Sequence, residues 1–182
     1  MNKVIFILPP GGFDDEEYFL LKSFFQFQGV EQTVVGRKKG LVLGREGQEA
    51  LVTNNFKETA VKDGDIIIMI SGQKVHKLKS KSLFSFLQAA STKEVLITAF
   101  GNTPILVAAA GIAAKKKITI WKKILQKSFV REIKESEAQY IDKDFIKDDN
   151  LITIKNKNSL PWFKKQIISF LDKKQKKTYT NK

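Results

Sequence analysis

The sequence predicts an α/β fold, built as a three-layer α/β/α sandwich around a mostly parallel sheet. Short apolar runs alternate along the chain with amphipathic or alanine-rich segments, as strands alternate with crossover helices. The runs are apolar at nearly every position, which is typical of strands whose two faces are both covered by helices. The chain has 182 residues, of which 42% are hydrophobic, so it can bury one continuous core.

The first half of the chain contains two predicted strands, a helix between them and a hairpin. Four acidic residues open the helix, where carboxylates suit the positive end of the helix dipole, and apolar residues follow at helical spacing. Two short apolar runs flank a glycine-containing turn, which predicts a small β-hairpin inserted outside the main sheet. The predicted elements are a strand at 3–8, a helix at 14–29, a strand at 30–35 and a hairpin at 41–52.

The second half continues this alternation, and the whole pattern predicts a flavodoxin-like, doubly wound sheet with right-handed crossovers. In such a sheet, ligands bind at the carboxyl ends of the strands. We expect a single domain over residues 1–172 and a basic flexible tail over residues 173–182. The predicted elements are strands at 65–70, 95–100 and 151–154, helices at 80–90 and 104–113, several short strands within 117–149, and a closing helix capped by Ser159.

Composition excludes several kinds of chemistry. The chain has no cysteine, which removes disulfides, thiolate catalysis and Cys-ligated metals, and its single histidine disfavours a His-based metal site. We therefore predict no metal and no cofactor. Neither a signal peptide nor a membrane-spanning segment is predicted, so we expect a cytoplasmic protein without a membrane partner.

The net charge of +13 raises the question of nucleic-acid binding, because polyanions release counterions when lysine and arginine bind them. Only three of the 32 basic residues are arginine, whereas proteins that read grooves and phosphates favour the bidentate guanidinium. The favoured interpretation is a lysine-rich, solvated surface. Nucleic-acid binding is kept as a third hypothesis that a salt-dependent gel shift would test.

Several segments, in a fixed order, carry a resemblance to a known family. The segments are KVIFIL with GGFDDEE, then DIIIMISG, then VLITAFGNTPILVAAAGI followed by KKKIT, and finally NLITIK with a closing helix. Their order and spacing over residues 3–172 resemble the ThiJ/PfpI family of the class I glutamine amidotransferase-like superfamily. The resemblance implies a ThiJ/PfpI-like domain with the sandwich fold predicted above.

In that family a glutamate early in the first helix faces a cysteine on a strand-to-helix nucleophile elbow, beside an oxyanion hole of backbone N–H groups. The resemblance places Glu17 at the glutamate and Gly101 at the cysteine. It places Gly72 at the second glycine of a Gly-Gly pair, in which Ser71 replaces the first. The family's hydrolase, glyoxalase and deglycase activities begin with thiolate attack on a carbonyl, so this chain is predicted to lack the nucleophile.

The remaining residues of the predicted pocket follow from the same resemblance. Asn102 and Thr103 belong to the elbow, and Trp121 lies where the family often has His or another aromatic residue. Thr98, Thr103 and Ser71 are nearby hydroxyls, but a hydroxyl nucleophile needs a positioned base. His76 lies in a basic segment and is favoured as a solvated residue.

These observations leave competing functions. The first hypothesis is a pseudoenzyme that binds a small polar ligand or a protein partner near the vestigial elbow. The alternative is a non-covalent enzyme in which Glu17 is the general acid or base acting on a small carbonyl compound or amide. Glu17 also has a purely structural interpretation, as one of four acids that complement a helix N-terminus.

A homodimer is the predicted assembly. The first helix contains Phe24, Phe25 and Phe27, which is more apolar surface than one face of the sheet needs. The resemblance implies the same assembly, because members of the family are commonly dimers.

Overall fold

A seven-stranded, mostly parallel sheet lies between two layers of helices in the computed structural model. The structure describes residues 2–121 and 127–180, without the side chains of residues 127–130 and 174–180. The strands are β1 (Lys3–Ile7), β2 (Glu31–Gly36), β3 (Gly40–Leu43), β4 (Glu49–Val52), β5 (Asn54–Asn55), β6 (Ile66–Met69), β7 (Leu96–Phe100), β8 (Lys117–Ile118), β9 (Gln139–Tyr140), β10 (Phe145–Asp148) and β11 (Leu151–Ile154). The α-helices are α1 (Asp15–Phe27), α2 (Lys81–Ser91), α3 (Pro104–Ala109), α4 (Lys127–Glu135) and α5 (Leu160–Thr180).

The strand order confirms the predicted topology. The sheet runs β10-β11-β7-β6-β1-β2-β5, and β10 is antiparallel to its neighbour while the other pairs are parallel. The portion β2-β1-β6-β7-β11 has the flavodoxin-like order, in which the winding direction reverses between β1 and β6. Strands β3 and β4 pair separately as an antiparallel hairpin with Leu41 opposite Leu51. The α/β sandwich and its hairpin insertion are therefore both confirmed.

The core is divided by the sheet into two hydrophobic layers. On one face, Leu87 of α2 and Leu106 of α3 pack against strand residues. On the other face, Leu21 of α1 and Phe163 of α5 do the same. Successive residues of β1 belong alternately to the two layers, because side chains along a strand point to opposite faces.

The region between residues 117 and 149 differs from the prediction of several short strands. Strands β8, β9 and β10 are present, but helix α4 lies between them and contacts α3. Ile133 of this helix is buried, and Glu132 pairs with Lys79 at 2.6 Å. These tertiary contacts stabilise α4, whose own sequence is too short and too charged to predict a helix. Residues 122–126 of the predicted region lie outside the described residues.

The closing helix begins at Leu160, directly after the predicted cap Ser159, and extends into the segment predicted as a tail. A 3₁₀ turn over Lys157–Ser159 precedes α5, and the Asn156 side chain caps that turn by accepting from the Asn158 N–H. Helix α5 continues to Thr180 and so includes residues 173–180 of the basic segment, whose flexibility stays a prediction. Residues 181–182 lie outside the described residues. Within residues 2–121 and 127–180, no helix combines the length and apolar composition needed to cross a membrane.

Candidate functional site

A cavity of about 400 Å³ opens at the carboxyl edge of the sheet, between the first turn of α1 and the ends of β6, β7 and β11. This is the edge at which a doubly wound sheet binds ligands. Most of the residues singled out from the sequence line the cavity, and Thr103 does not. The lining residues are Asp14, Glu17, Arg45, Ser71, Gly72, Gln73, Gly101, Asn102, Trp121, Lys155, Asn156 and Lys157.

Glu17 is held in the cavity wall by the start of α1. Asp14 caps that helix, and its Oδ1 accepts from the Glu17 N–H at 3.0 Å. The Glu17 side chain is directed toward the end of β6, where the Ser71 N–H donates to Oε1 at 2.8 Å. The Ser71 hydroxyl lies 2.9 Å from Oε2. Both carboxyl oxygens are therefore bound to a single neighbouring residue.

Burial raises the pKa of Glu17 from 4.5 to about 8. The Ser71 N–H opposes this shift, the negative charge of Asp14 adds to it, and the Ser71 hydroxyl and Arg45 oppose it more weakly. The residue is 2% exposed, so loss of water around the carboxylate is the dominant cause. At neutral pH the carboxyl group is mostly protonated.

The protonation state of Glu17 decides what the Ser71 hydroxyl offers to the cavity. The Ser71 hydroxyl donates to Oε2 of an ionised Glu17. Protonation of Oε2 reverses this hydrogen bond, so that Glu17 donates to Ser71 Oγ and the Ser71 hydroxyl proton is left for a partner in the cavity. The pair is thus a hydrogen-bond donor to a ligand below pH 8 and an acceptor above it.

The strand-to-helix elbow is formed by the end of β7 and the start of α3. Gly101 has φ +56°, in the left-handed region that favours glycine, and Pro104 occupies the first turn of the helix. The Gly101 N–H donates to the Ile154 carbonyl at 2.8 Å, and the Gly101 carbonyl accepts from the Trp121 N–H at 3.0 Å. The elbow is therefore tied to β11 and to the segment after β8.

The space beside Gly101 is filled by Ser71. A Cβ at position 101 would lie 2.7 Å from the Ser71 Cβ and 3.2 Å from its Oγ, closer than side-chain carbons approach. A side chain at 101 and the Ser71 side chain therefore exclude each other. Serine at position 71 and glycine at position 101 are therefore sterically complementary.

The Asn102 side chain hydrogen-bonds to both backbone polar groups of Gly72. Its Nδ2 donates to the Gly72 carbonyl at 2.7 Å, and its Oδ1 accepts from the Gly72 N–H at 3.2 Å. A Cβ at Gly72 would lie 2.5 Å from the Gly12 carbonyl oxygen, so only glycine fits there. Because the Gly72 N–H is already bound, it does not offer a free donor to a developing oxyanion.

The other hydroxyls proposed from the sequence are engaged away from the cavity. The Thr103 hydroxyl donates to the carbonyls of Met69 and Phe100, and the Thr98 hydroxyl donates to that of Ile67. Both threonines are fully buried. His76 is exposed on a 3₁₀ turn and does not line the cavity. Ser71 is the hydroxyl that faces it.

The rim of the cavity contains cations that the sequence analysis did not single out. Arg45 of the hairpin turn pairs with Asp14 at 3.2 Å. At the end of β11, Lys155 pairs with Asp142 at 2.6 Å, and Lys157 pairs with Glu16. Each cation has an acidic partner, and Trp121, 42% exposed, adds an aromatic surface. Lys155 and Lys157 could have been predicted to line the cavity, because they follow the carboxyl end of the predicted strand at 151–154.

Asp15 is a further residue that sequence reasoning missed. Its buried carboxylate accepts from the Glu46 N–H at 2.8 Å and from the Gln48 N–H at 3.0 Å. The hairpin turn is thereby anchored to the N-terminus of α1, which brings Arg45 to the rim. Asp15 acts as a positioning residue and does not line the cavity.

Comparisons of sequence and structure show which known proteins the chain resembles. The sequence profile of the DJ-1/PfpI family matches residues 2–170. An uncharacterised protein of Methanocaldococcus jannaschii is 25% identical over 173 residues, covering 94% of this chain and 83% of that protein. General stress protein 18 of Bacillus subtilis is 25% identical over 177 residues, covering 95% of this chain and all of that protein. Among solved structures, a ThiJ/PfpI domain protein from Brachyspira murdochii matches with a TM-score of 0.81 at 18% identity, covering 95% and 98% of the two chains.

Proposed function

The chain belongs to the DJ-1/PfpI family, and within it we propose a protein that binds a small polar ligand in the cavity beside Glu17, without covalent catalysis. The observation that carries this proposal is that Ser71 leaves no room for a side chain at position 101. The elbow has no side chain from which an attack could start, and Ser71 fills the space that such a side chain would need.

The state of the backbone donors supports the same conclusion. Stabilisation of an oxyanion needs preorganised N–H groups that are free to receive the developing charge. Here the Gly72 N–H is bound by the Asn102 side chain at 3.2 Å. Both oxygens of the Glu17 carboxyl group are likewise bound to Ser71. The Gly72 N–H and the Glu17 carboxyl group are therefore part of a hydrogen-bonded cavity wall and are not free to stabilise an oxyanion.

The cavity suits a compact polar molecule. Its volume of about 400 Å³ is in the lower part of the range found for ligand pockets. At neutral pH the Ser71 hydroxyl is a donor, which selects a ligand with a carbonyl or similar acceptor. Gln73 and Asn156 supply amide groups around it, and Trp121 offers an apolar face to the rest of the molecule.

A second function is favoured by one specific observation. A carboxyl group with a pKa of about 8 in a cavity wall is matched to proton transfer near neutral pH. Glu17 would then be a general acid or base acting on a small carbonyl compound or amide, without a covalent intermediate. Its two bonds to Ser71 place the carboxyl group at the cavity wall but also occupy it, so binding is the first choice.

A thermal-shift screen tests the proposal. Small carbonyl, amide and hydroxy-acid compounds at about 5 mM should include ligands that raise Tm, because a ligand that binds only the folded state stabilises it. The shift should be lost in Ser71→Ala and kept in Ser169→Ala, an exposed serine on α5. It should also weaken as pH rises through about 8, and Glu17→Gln, whose amide donates permanently to Ser71 Oγ, should remove that pH dependence.

The same samples distinguish the two functions. The binding protein should show no turnover of a dicarbonyl such as methylglyoxal, or of simple amides, above a buffer control. Turnover that Glu17→Gln abolishes would instead establish the general acid or base. Failure of every compound to shift Tm, or shifts that persist in Ser71→Ala, would contradict a ligand site beside Glu17.

A further inference from the structure

We propose that a second cavity, between the loop after β2 and the hairpin, binds a small phosphate ester whose phosphate contacts Arg37 and Lys77 and whose apolar part packs on Leu41 and Val42. This cavity has a volume of about 460 Å³ and shares no lining residue with the cavity at Glu17. Its lining residues are Leu8, Pro10, Gly36, Arg37, Lys38, Lys39, Gly40, Leu41, Val42, Val52 and Lys77.

The second cavity has a one-sided charge. Four cations line it, namely Arg37, Lys38, Lys39 and Lys77, and no acidic residue does. Lys39 pairs with Glu58 at 2.7 Å, and no ion pair joins the other three to a carboxylate within residues 2–121 and 127–180. At the rim of the first cavity, by contrast, each cation has an acidic partner.

Concentrated like charge in a concave surface points to an anionic ligand. Lys39 is offset by Glu58, and the other three cations give the cavity a net positive field. An anion held between these three cations gains charge-assisted hydrogen bonds. The cavity lies at the carboxyl ends of β1 and β2, on the same edge of the sheet as the cavity at Glu17.

Arg37 is oriented for this task by a contact with the neighbouring 3₁₀ turn. Its Nη1 donates to the Lys77 carbonyl at 3.1 Å, which joins the loop after β2 to the turn that carries Lys77. The guanidinium has further N–H donors in a fixed fork, the geometry that matches two oxygens of one phosphate. A held arginine loses less conformational entropy on binding than a free one.

The apolar lining of the cavity selects an ester rather than free phosphate. Leu8 and Val52 are almost fully buried, Val42 is half-buried, and Leu41 is 67% exposed at the mouth. An apolar or aromatic group attached to the phosphate would cover the accessible parts of Leu41 and Val42 and remove them from water. The concave shape accommodates one such molecule, whereas a nucleic-acid duplex is bound through an extended array of phosphates.

Isothermal titration calorimetry with four probes tests the proposal on the full chain. Adenosine monophosphate should bind, inorganic phosphate should bind about fivefold or more weaker, and adenosine should give no heat of binding up to about 10 mM. Binding should weaken as sodium chloride is added, because exposed charges are screened. Duplex DNA should compete with the monophosphate only at low salt.

Paired variants locate the site. Arg37→Gln/Lys77→Gln should weaken adenosine monophosphate binding by about tenfold or more, since two charged contacts are lost. Lys134→Gln/Lys165→Gln removes the same charge from exposed positions on α4 and α5 and should change affinity by less than about twofold. Glu17→Gln should have as little effect, because Glu17 lines the other cavity.

Three results would overturn the inference. The first is adenosine binding as tightly as its monophosphate, and the second is no monophosphate binding up to about 10 mM. The third is an equal loss of affinity in both charge-removing pairs, which would indicate diffuse attraction by a basic surface. None of these results bears on the ligand site beside Glu17, since the two cavities have different residues.

Discussion

A cysteine placed at position 101 tests the steric exclusion between Ser71 and a side chain at the elbow. Gly101→Cys places a Cβ 2.7 Å from the Ser71 Cβ, at a backbone φ of +56°. Ser71→Gly removes the obstructing carbon and its hydroxyl. The double variant Ser71→Gly/Gly101→Cys therefore has room for a side chain at the elbow, whereas the single cysteine variant does not.

The expected magnitudes follow from these contacts. A residue other than glycine in the left-handed region costs about 1 to 2 kcal/mol, and overpacking adds about 1 to 3 kcal/mol. Gly101→Cys should therefore lower the free energy of unfolding by about 2 to 5 kcal/mol. Ser71→Gly should lower it by about 1 to 2 kcal/mol, through a lost hydrogen bond and a more flexible backbone. The double variant should be more stable than the sum of the two effects by about 1 to 3 kcal/mol, the overpacking contribution.

Urea unfolding of the four proteins in this cycle measures the coupling. Gly111→Cys is the matched control, because Gly111 has φ +76° and a Cβ added there would meet nothing within 4 Å. It should lose only about 1 to 2 kcal/mol and show no coupling to Ser71→Gly. If the losses of unfolding free energy in Ser71→Gly and Gly101→Cys add up to that of the double variant within about 0.5 kcal/mol, the steric exclusion between Ser71 and a side chain at position 101 is refuted.

The remaining predictions concern Glu17 and assembly. The folded protein keeps a proton on Glu17 that the unfolded chain releases, so stability should fall by roughly 3 to 5 kcal/mol as pH rises from 4.5 to about 8. Urea unfolding at several pH values measures this loss of stability. It should be absent in Glu17→Gln and retained in Glu16→Gln, which lies on the exposed side of the same helix. Light scattering should show a homodimer with twice the 20.7 kDa chain mass, and Phe27→Asp, at a ring 89% exposed, should convert it to monomer. Ile168→Asp on α5 is the control, and a monomer in the unsubstituted protein at high concentration would rule out the dimer.

The sheet was predictable because its strands obey local rules. Residues of β1, β6, β7 and β11 are almost all buried, so each strand is a continuous apolar run in the sequence. Helix α4 was not predictable in the same way. Of its side chains in the described part, Ile133 is buried, and the contact with α3 and the pair between Glu132 and Lys79 come from distant segments. Tertiary contacts decided that element against its weak local pattern.

In the candidate site, too, some features could be predicted from the sequence and others depend on tertiary distances. Glu17, Gly72 and Gly101 follow strand ends or open a helix, so their meeting at one edge of the sheet could be expected from topology. The distance between the side chains of Ser71 and position 101 could not, because it depends on how closely β6 and β7 end beside each other. That distance decides which side chains fit at position 101. A lone glycine at an elbow would leave a gap that costs packing energy, whereas a serine that fills the gap and binds both oxygens of Glu17 makes this part of the site a stable wall of the cavity.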